Sequence, residues 1–275
     1  VLGAAKLLSL HRDLWRGTVK FIFQPDEEGS GGAMRLIESG ALDGVEAVYG
    51  GHVDPNLPLG TFGVKYGKFY AASDVFHVGV VGIGTHGATP EKGRSALLAA
   101  VDMVKALSLL KPSSSDRFVL SIGTLQSGSA GNIIPEKAEF SGILRTLGPE
   151  NRREMKDLLK ASLARIAEEH GVSYTLKLRE SYGGIVNTDP ETRTLETSLR
   201  ETFGDEKVVL LEEPTMTTED FGYYTEAVSG SFFHLGAGCE KPLHNPSFLP
   251  DPMVPVYGAT AYFGLVEALS KGFCR

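Results

Sequence analysis

The sequence predicts an α/β fold: a discontinuous domain with a mostly parallel sheet and helices on both faces, interrupted by an inserted ferredoxin-like α+β domain. Three observations predict it. Near both ends of the chain, β-branched and aromatic runs alternate with helix-period stretches, the order of a parallel sheet covered by helices. The middle third instead reads β-α-β-β-α-β, a unit complete in itself. The first style resumes after Ser181, so the middle is an insertion: residues 1–72 and 182–275 form one domain and residues 73–181 the other.

Each element has its own warrant. Residues 1–15 have the spacing of an amphipathic helix, entered without an N-cap. The apolar run 18–24 follows as a strand and must stop at Pro25, which cannot donate to a ladder. A helix is expected near residues 32–39, closed by Gly40, and a strand near 47–51 that runs into His52. In the middle third Phe76, Val78 and Val80 alternate as a strand, residues 95–110 read as a helix, and residues 118–125 and 138–144 as two strands. Met155, Leu158, Leu159, Ser162, Leu163 and Ile166 keep helical spacing up to Gly171, the clearest helix in the chain. Val172, Tyr174, Leu176 and Leu178 then alternate with polar residues as a half-buried strand. A helix at 190–203, a strand at 208–211, a helix after Thr218, a strand at 232–235 and a helix at 254–269 complete the reading.

Composition excludes several classes. The 275 residues suffice for two cores, and 42% hydrophobic with 22% charged residues is the balance of a soluble globular chain. A formal charge of −7 leaves no basic stripe to neutralise phosphates, so no nucleic-acid partner is expected. No apolar run approaches membrane-spanning length, so no membrane partner is expected either. Cys239 and Cys274 make no disulfide framework, and a reducing cytoplasm is the simplest compartment. A serine or cysteine hydrolase lacks support: there is no Gly-x-Ser-x-Gly elbow, and neither cysteine has a nucleophile's setting.

The chemistry concentrates in a few places. Phe21-Ile22-Phe23-Gln24-Pro25-Asp26-Glu27-Glu28-Gly29 sets paired carboxylates at a strand's carboxyl end, where open α/β sheets keep their ligands. On extended backbone Glu27 and Glu28 point in opposite directions and so do different jobs: one can hold a metal, the other reach its water. His52 ends an apolar strand, and His244 lies in a loop framed by Pro242 and Pro246. Each histidine alone is more often structural than a ligand, but Glu28, His52 and His244 together are a partial donor set for a Zn- or Mn-type ion. His86, before Pro90, reads by itself as a turn histidine. Arg145 alternates away from Phe140 and Leu144, and is either a solvated charge or a fork for a carboxylate. Asn132 beside Gly131 is a turn former or a binding group, and Glu219-Asp220 reads as a helix cap.

The chain resembles the dinuclear metal amidohydrolases that include hippurate hydrolases, N-acyl-amino-acid hydrolases (aminoacylases) and plant auxin-conjugate hydrolases. The resemblance runs from Val1 to the C-terminus. It rests on Phe23-Gln24-Pro25-Asp26-Glu27-Glu28-Gly29, Gly51-His52-Val53, Gly82-Ile83-Gly84-Thr85-His86-Gly87-Ala88-Thr89-Pro90, Gly131-Asn132-Ile133-Ile134-Pro135, Gly142-Ile143-Leu144-Arg145-Thr146, Glu219-Asp220-Phe221 and Leu243-His244-Asn245-Pro246. It implies a general base at Glu27, metal ligands at Glu28, His52 and His244, and two divalent ions, Zn or Mn. It further implies an oxyanion-stabilising His86, often supplied by the partner in a homodimer joined through the inserted lid domain. Asn132 and Arg145 would be a substrate clamp for an N-acyl amino acid or dipeptide. The family also carries a Cys-Gly-His-Asp segment before the helix that opens this chain, with two further ligands; these residues do not contain it. The sequence is therefore read as a fragment, a late-assigned start or a truncated product, with fewer ions or none bound. On that reading, the rival to an enzyme is an inactive homologue that dimerises or binds acyl amino acids.

Overall fold

The computed structural model describes residues 1–29 and 31–272. In chain order its elements begin with α1 (Leu2–Leu10), α2 (Ala33–Glu38), β1 (Ala47–Asp54), β2 (Phe62–Val64) and β3 (Gly67–Lys68). There follow β4 (Ala72–Val81), β5 (Thr85–His86), α3 (Ala96–Ser108), β6 (Phe118–Ser127), β7 (Ile133–Ile134), β8 (Lys137–Thr146), α4 (Pro149–His170) and β9 (Ser173–Tyr182). The last are β10 (Val186–Asn187), α5 (Asp189–Phe203), β11 (Val208–Leu210), α6 (Gly222–Ala227), β12 (Ser229–Gly236) and α7 (Val254–Gly272). None of the described helices is long and apolar enough to cross a membrane. The chain divides into two compact units: residues 1–69, 185–214 and 219–275, and residues 70–184 with 215–218. The four residues 215–218, assigned by the sequence to the first part, belong to the second, because Thr215 bridges Tyr70 and Ala71 N donates to Thr217 O.

In the first unit the sheet order is β1-β12-β2-β11. β1 runs parallel to β12 and β11 to β2, but β12 and β2 are antiparallel. The sheet is therefore mixed, parallel in two of its three pairings. The difference comes from β2, a three-residue strand too short to leave a periodic signal. Alternation sends Phe233 and Leu235 of β12 to one face, where they pack with Phe62, Val64, Leu195, Leu199, Ala261 and Leu265 under α5 and α7. Phe232 faces the other way and stacks on Phe221, just before α6, at 4.8 Å between centroids.

Residues 18–24 make no ladder with any described strand, contrary to the expectation from their composition. β-forming side chains do not suffice for a strand; a neighbouring backbone must present its own N–H and C=O groups. β1 lies at the sheet's edge, paired on one side only. Phe23 is 62% exposed, so the run also fails to bury what its sequence offers.

The second unit has four antiparallel strands in the order β6-β8-β4-β9. α3 and α4 cover one face, meeting Phe76, Val78, Val80 and Phe140 with Ala99, Met103, Leu159 and Leu163. α3 starts cleanly because Ser95 accepts the Leu98 N–H. α4 begins with Pro149 and stops at Gly171, whose φ of 61° suits a residue without Cβ. Asp74 of β4 is fully buried and receives Arg152 at 2.9 and 3.0 Å and Lys156 at 3.0 Å, both from α4. A two-stranded ribbon, β5 with β7, pairs His86 with Ile133.

Candidate metal centre

The motif loop is a tight turn rather than extended chain. Asp26 adopts φ 63°, and the N–H groups of Gly29 and Gly31 both donate to its carbonyl. A Cβ at Gly32 would lie 1.9 Å from Pro25 O, so only glycine lets the chain fold back there to start α2. The different surroundings of Glu27 and Glu28 thus come from the turn, not from strand alternation. Glu27 is half-buried, whereas the Glu28 side chain is 74% exposed. His244, with Asp26 the other non-glycine residue of positive φ among the described residues, at 63°, brings its Nδ1 to 3.8 Å from Glu28 Oε1. Strained backbone at two positions beside one charge cluster is a mark of a functional site.

His52 falls inside β1 rather than after it. Its Nδ1 lies 2.8 Å from Val53 O. A carbonyl can only accept, so Nδ1 carries the proton and Nε2 keeps its lone pair for a metal. His234, on the neighbouring strand, is held by Asp54 at 2.8 Å and stacks on Phe69, a structural role that agrees with its lack of any ligand motif in the sequence.

Sequence reasoning missed a convergence of carboxylates. Among the described residues, Glu27, Glu219 and Asp220 each offer an oxygen within 4.8 Å of the others. Glu28, His52 and His244 are not gathered as closely. Glu219 does not cap α6 as expected: it accepts the Phe221 N–H at 3.3 Å, but Phe221 is itself the N-cap residue and α6 has no side-chain cap. Asp220 instead accepts Gln24 Nε2 at 2.8 and 2.7 Å and the Ala33 N–H of α2 at 3.2 Å. Burial, then the Asp220 charge, raises the Glu27 carboxyl above its usual range. Burial, then the Glu27 charge, pushes Glu219 up to about 7. The only signal for this in the sequence was a pair of acids, which looks like any helix start.

In the second unit His86 is exposed on the β5/β7 ribbon. Its Nδ1 accepts the Ala88 N–H at 3.1 Å, so its proton sits on Nε2, where it can donate. Asn132 is beside it, its carbonyl accepting the Gly87 N–H at 2.7 Å. Arg145 is not with them. It pairs with Ser73 near the far end of β8, about 26 Å along the strand from Lys137 at about 3.3 Å per residue. The expected Asn132–Arg145 clamp is therefore not one constellation within this unit. Arg145 Nη1 donates to Met216 O at 2.8 Å, and its Nε is buried without a hydrogen-bond partner among the described residues.

A carboxylate and two imidazoles, Glu28, His52 and His244, with Glu28 and His244 already adjacent and His52 Nε2 left outside the ring's bond to Val53 O, fit a divalent ion of the Zn or Mn type. The model of peptidase family M20/M25/M40 matches residues 1–266, and the chain belongs to that family. Thermostable carboxypeptidase 2 of Saccharolobus solfataricus is 32% identical, over 95% of this chain and 68% of that protein. An IAA-amino acid hydrolase of Arabidopsis thaliana is 32% identical over 99% and 65%. The chain thus spans about two thirds of the length of these relatives. Among solved structures, a dinuclear metal-binding peptidase of the M20 family from Bacillus subtilis superposes with a TM-score of 0.84 at 29% identity, over 98% of this chain and 69% of that one.

Proposed function

We propose that the protein is a metal-dependent amidohydrolase that cleaves the amide bond of N-acyl amino acids or small peptides bearing a free carboxylate. The observation that carries this reading is a half-buried carboxyl of raised proton affinity, Glu27, one residue from the Glu28–His244 pair. Glu28, His52 and His244 would hold divalent metal, Zn or Mn, in a site that the family fills with two ions. When bound, the metal supplies an acidified water and polarises the amide carbonyl.

Glu27 then takes the water's proton and returns it to the leaving amine, work that its raised affinity favours. His86, with Nε2–H as donor, serves the developing oxyanion. Arg145 offers the guanidinium edge carrying its unpaired Nε to the substrate's α-carboxylate. Since His86 and Asn132 lie at the opposite end of β8 from Arg145, we assign the two ends to different substrates, in a homodimer formed through the second unit. Cys239 is a free thiol and Cys274 lies outside the described residues; the two-cysteine composition favours the cytoplasm.

The test is Glu27→Gln. It should reduce kcat by about 10²–10⁴-fold while elemental analysis finds the metal content unchanged. Turnover at the wild-type rate in this variant would remove the base from Glu27.

A further inference from the structure

The turn that carries Glu27 and Glu28 has no ladder to hold it. Residues 18–24 pair with no described strand, and α2, after the turn, is only six residues long. The bonds from Gly29 N and Gly31 N to Asp26 O shape the loop but attach it to no other element. Asp220 supplies an attachment. Its oxygens accept Gln24 Nε2, before the turn, at 2.8 and 2.7 Å, and Ala33 N, after it, at 3.2 Å. One carboxylate, 1% exposed, thus grips both ends of the loop. Asp220 is itself fixed: its carbonyl accepts the Tyr223 N–H at 3.0 Å, and the ring of Phe221 beside it stacks on Phe232 of β12 at 4.8 Å. A Cβ on Gly50 of β1 would come within 2.5 Å of the Phe221 ring, so glycine leaves the room that the ring fills. Gly50 lies two residues before His52 on the same strand. The sheet that carries His52 therefore seats Phe221, Phe221 sets Asp220, and Asp220 sets both ends of the Glu27–Glu28 turn.

We propose that Gln24 and Asp220 are positioning residues: their hydrogen bond takes the place of strand pairing and holds the Glu27–Glu28 turn against the sheet that bears His52. Both act through the turn, with no contact to the reacting atoms. The tie is firm because it is buried. Removing the amide donor leaves a carboxylate that is desolvated and short of a partner, which costs more than the bond itself contributes. Its use to the protein rests on Glu27 as base and on Glu28 and His52 as metal ligands, as proposed above.

Three variants test it, read by Zn²⁺ affinity, by hydrolysis of an N-acyl amino acid and by hydrogen exchange at the Ala33 amide. Gln24→Leu keeps the bulk and removes the donor; it should weaken Zn²⁺ binding about 10–100-fold, lower kcat and speed Ala33 exchange. Gln24→Glu should do the same, by turning the donor into a second acceptor. Combining Gln24→Glu with Asp220→Asn reverses the bond: the new amide donates to the new carboxylate, and its oxygen still accepts the Ala33 N–H. The reversed pair should return all three readouts to within about threefold of wild type, a rescue that loss of mere bulk would not show. Zn²⁺ affinity unchanged in Gln24→Leu would overturn the proposal. So would a reversed pair as weak as the single variants, which would make Asp220 itself a ligand. Rescue of Ala33 exchange in a protein whose wild type binds no Zn²⁺ and hydrolyses no acyl amino acid would leave the tie standing and remove the amidohydrolase reading instead.

Discussion

Arg145 illustrates how one side chain divides its work. Nη1 is committed to Met216 O, which helps tie residues 215–218 to the second unit, while Nε has no partner among the described residues. Loss of the first contact loosens that segment for every substrate alike; loss of the second matters only for a substrate with a carboxylate. Arg145→Ala should therefore raise KM about tenfold or more for N-acyl amino acids beyond any change seen with their carboxamides, the loss expected of a charged hydrogen bond. Equal effects on acids and amides, measured side by side, would leave Arg145 a structural residue. At this scale the sequence is informative where chemistry is carried by residue type. Glu27, Glu28, His52 and His244 stand out in it only together, because each alone has a common structural use while a carboxylate pair with two imidazoles in the family's order does not. Which ring nitrogen of His52 and of His86 is tied to backbone is not legible there, since each depends on one backbone partner, Val53 O or Ala88 N.

Among the elements, α4 is the most legible, because 22 residues repeat one apolar stripe and a glycine ends it. Its buried stripe anchors the second unit: Leu163 is wholly buried against the sheet core. Leu163→Ala should cost about 2–5 kcal/mol, measurable as a lower urea midpoint, whereas the same change at the exposed Leu98 of α3 should cost little. A small effect at Leu163 would mean that the core closes around the gap. The run 18–24 shows the opposite case. Its composition is that of a strand, yet no described strand pairs with it, since pairing is a property of two segments and propensity of one. β2 escapes detection for a related reason: three residues carry no period, and only their places between β12 and β11 make them a strand.

For the whole molecule, metal is the property to measure. Chelation is expected to abolish hydrolysis, and Zn²⁺ or Mn²⁺ to restore it, with elemental analysis counting the ions per chain. Full activity after chelation would overturn the metal-dependent reading; an ion-free, inactive chain that still binds acyl amino acids would favour the non-catalytic rival. The sequence by itself determined the family, and it offered a two-part organisation and candidate residues for the chemistry, because these are read from local period, residue type and the order of motifs. Only the tertiary structure decided that the first sheet is mixed, that Asn132 precedes β7 while Arg145 sits near the far end of β8, and that Glu219 and Asp220 stand against Glu27. Each of these depends on which distant segments become neighbours, and contacts between residues nearly two hundred positions apart leave no trace in the spacing of either one.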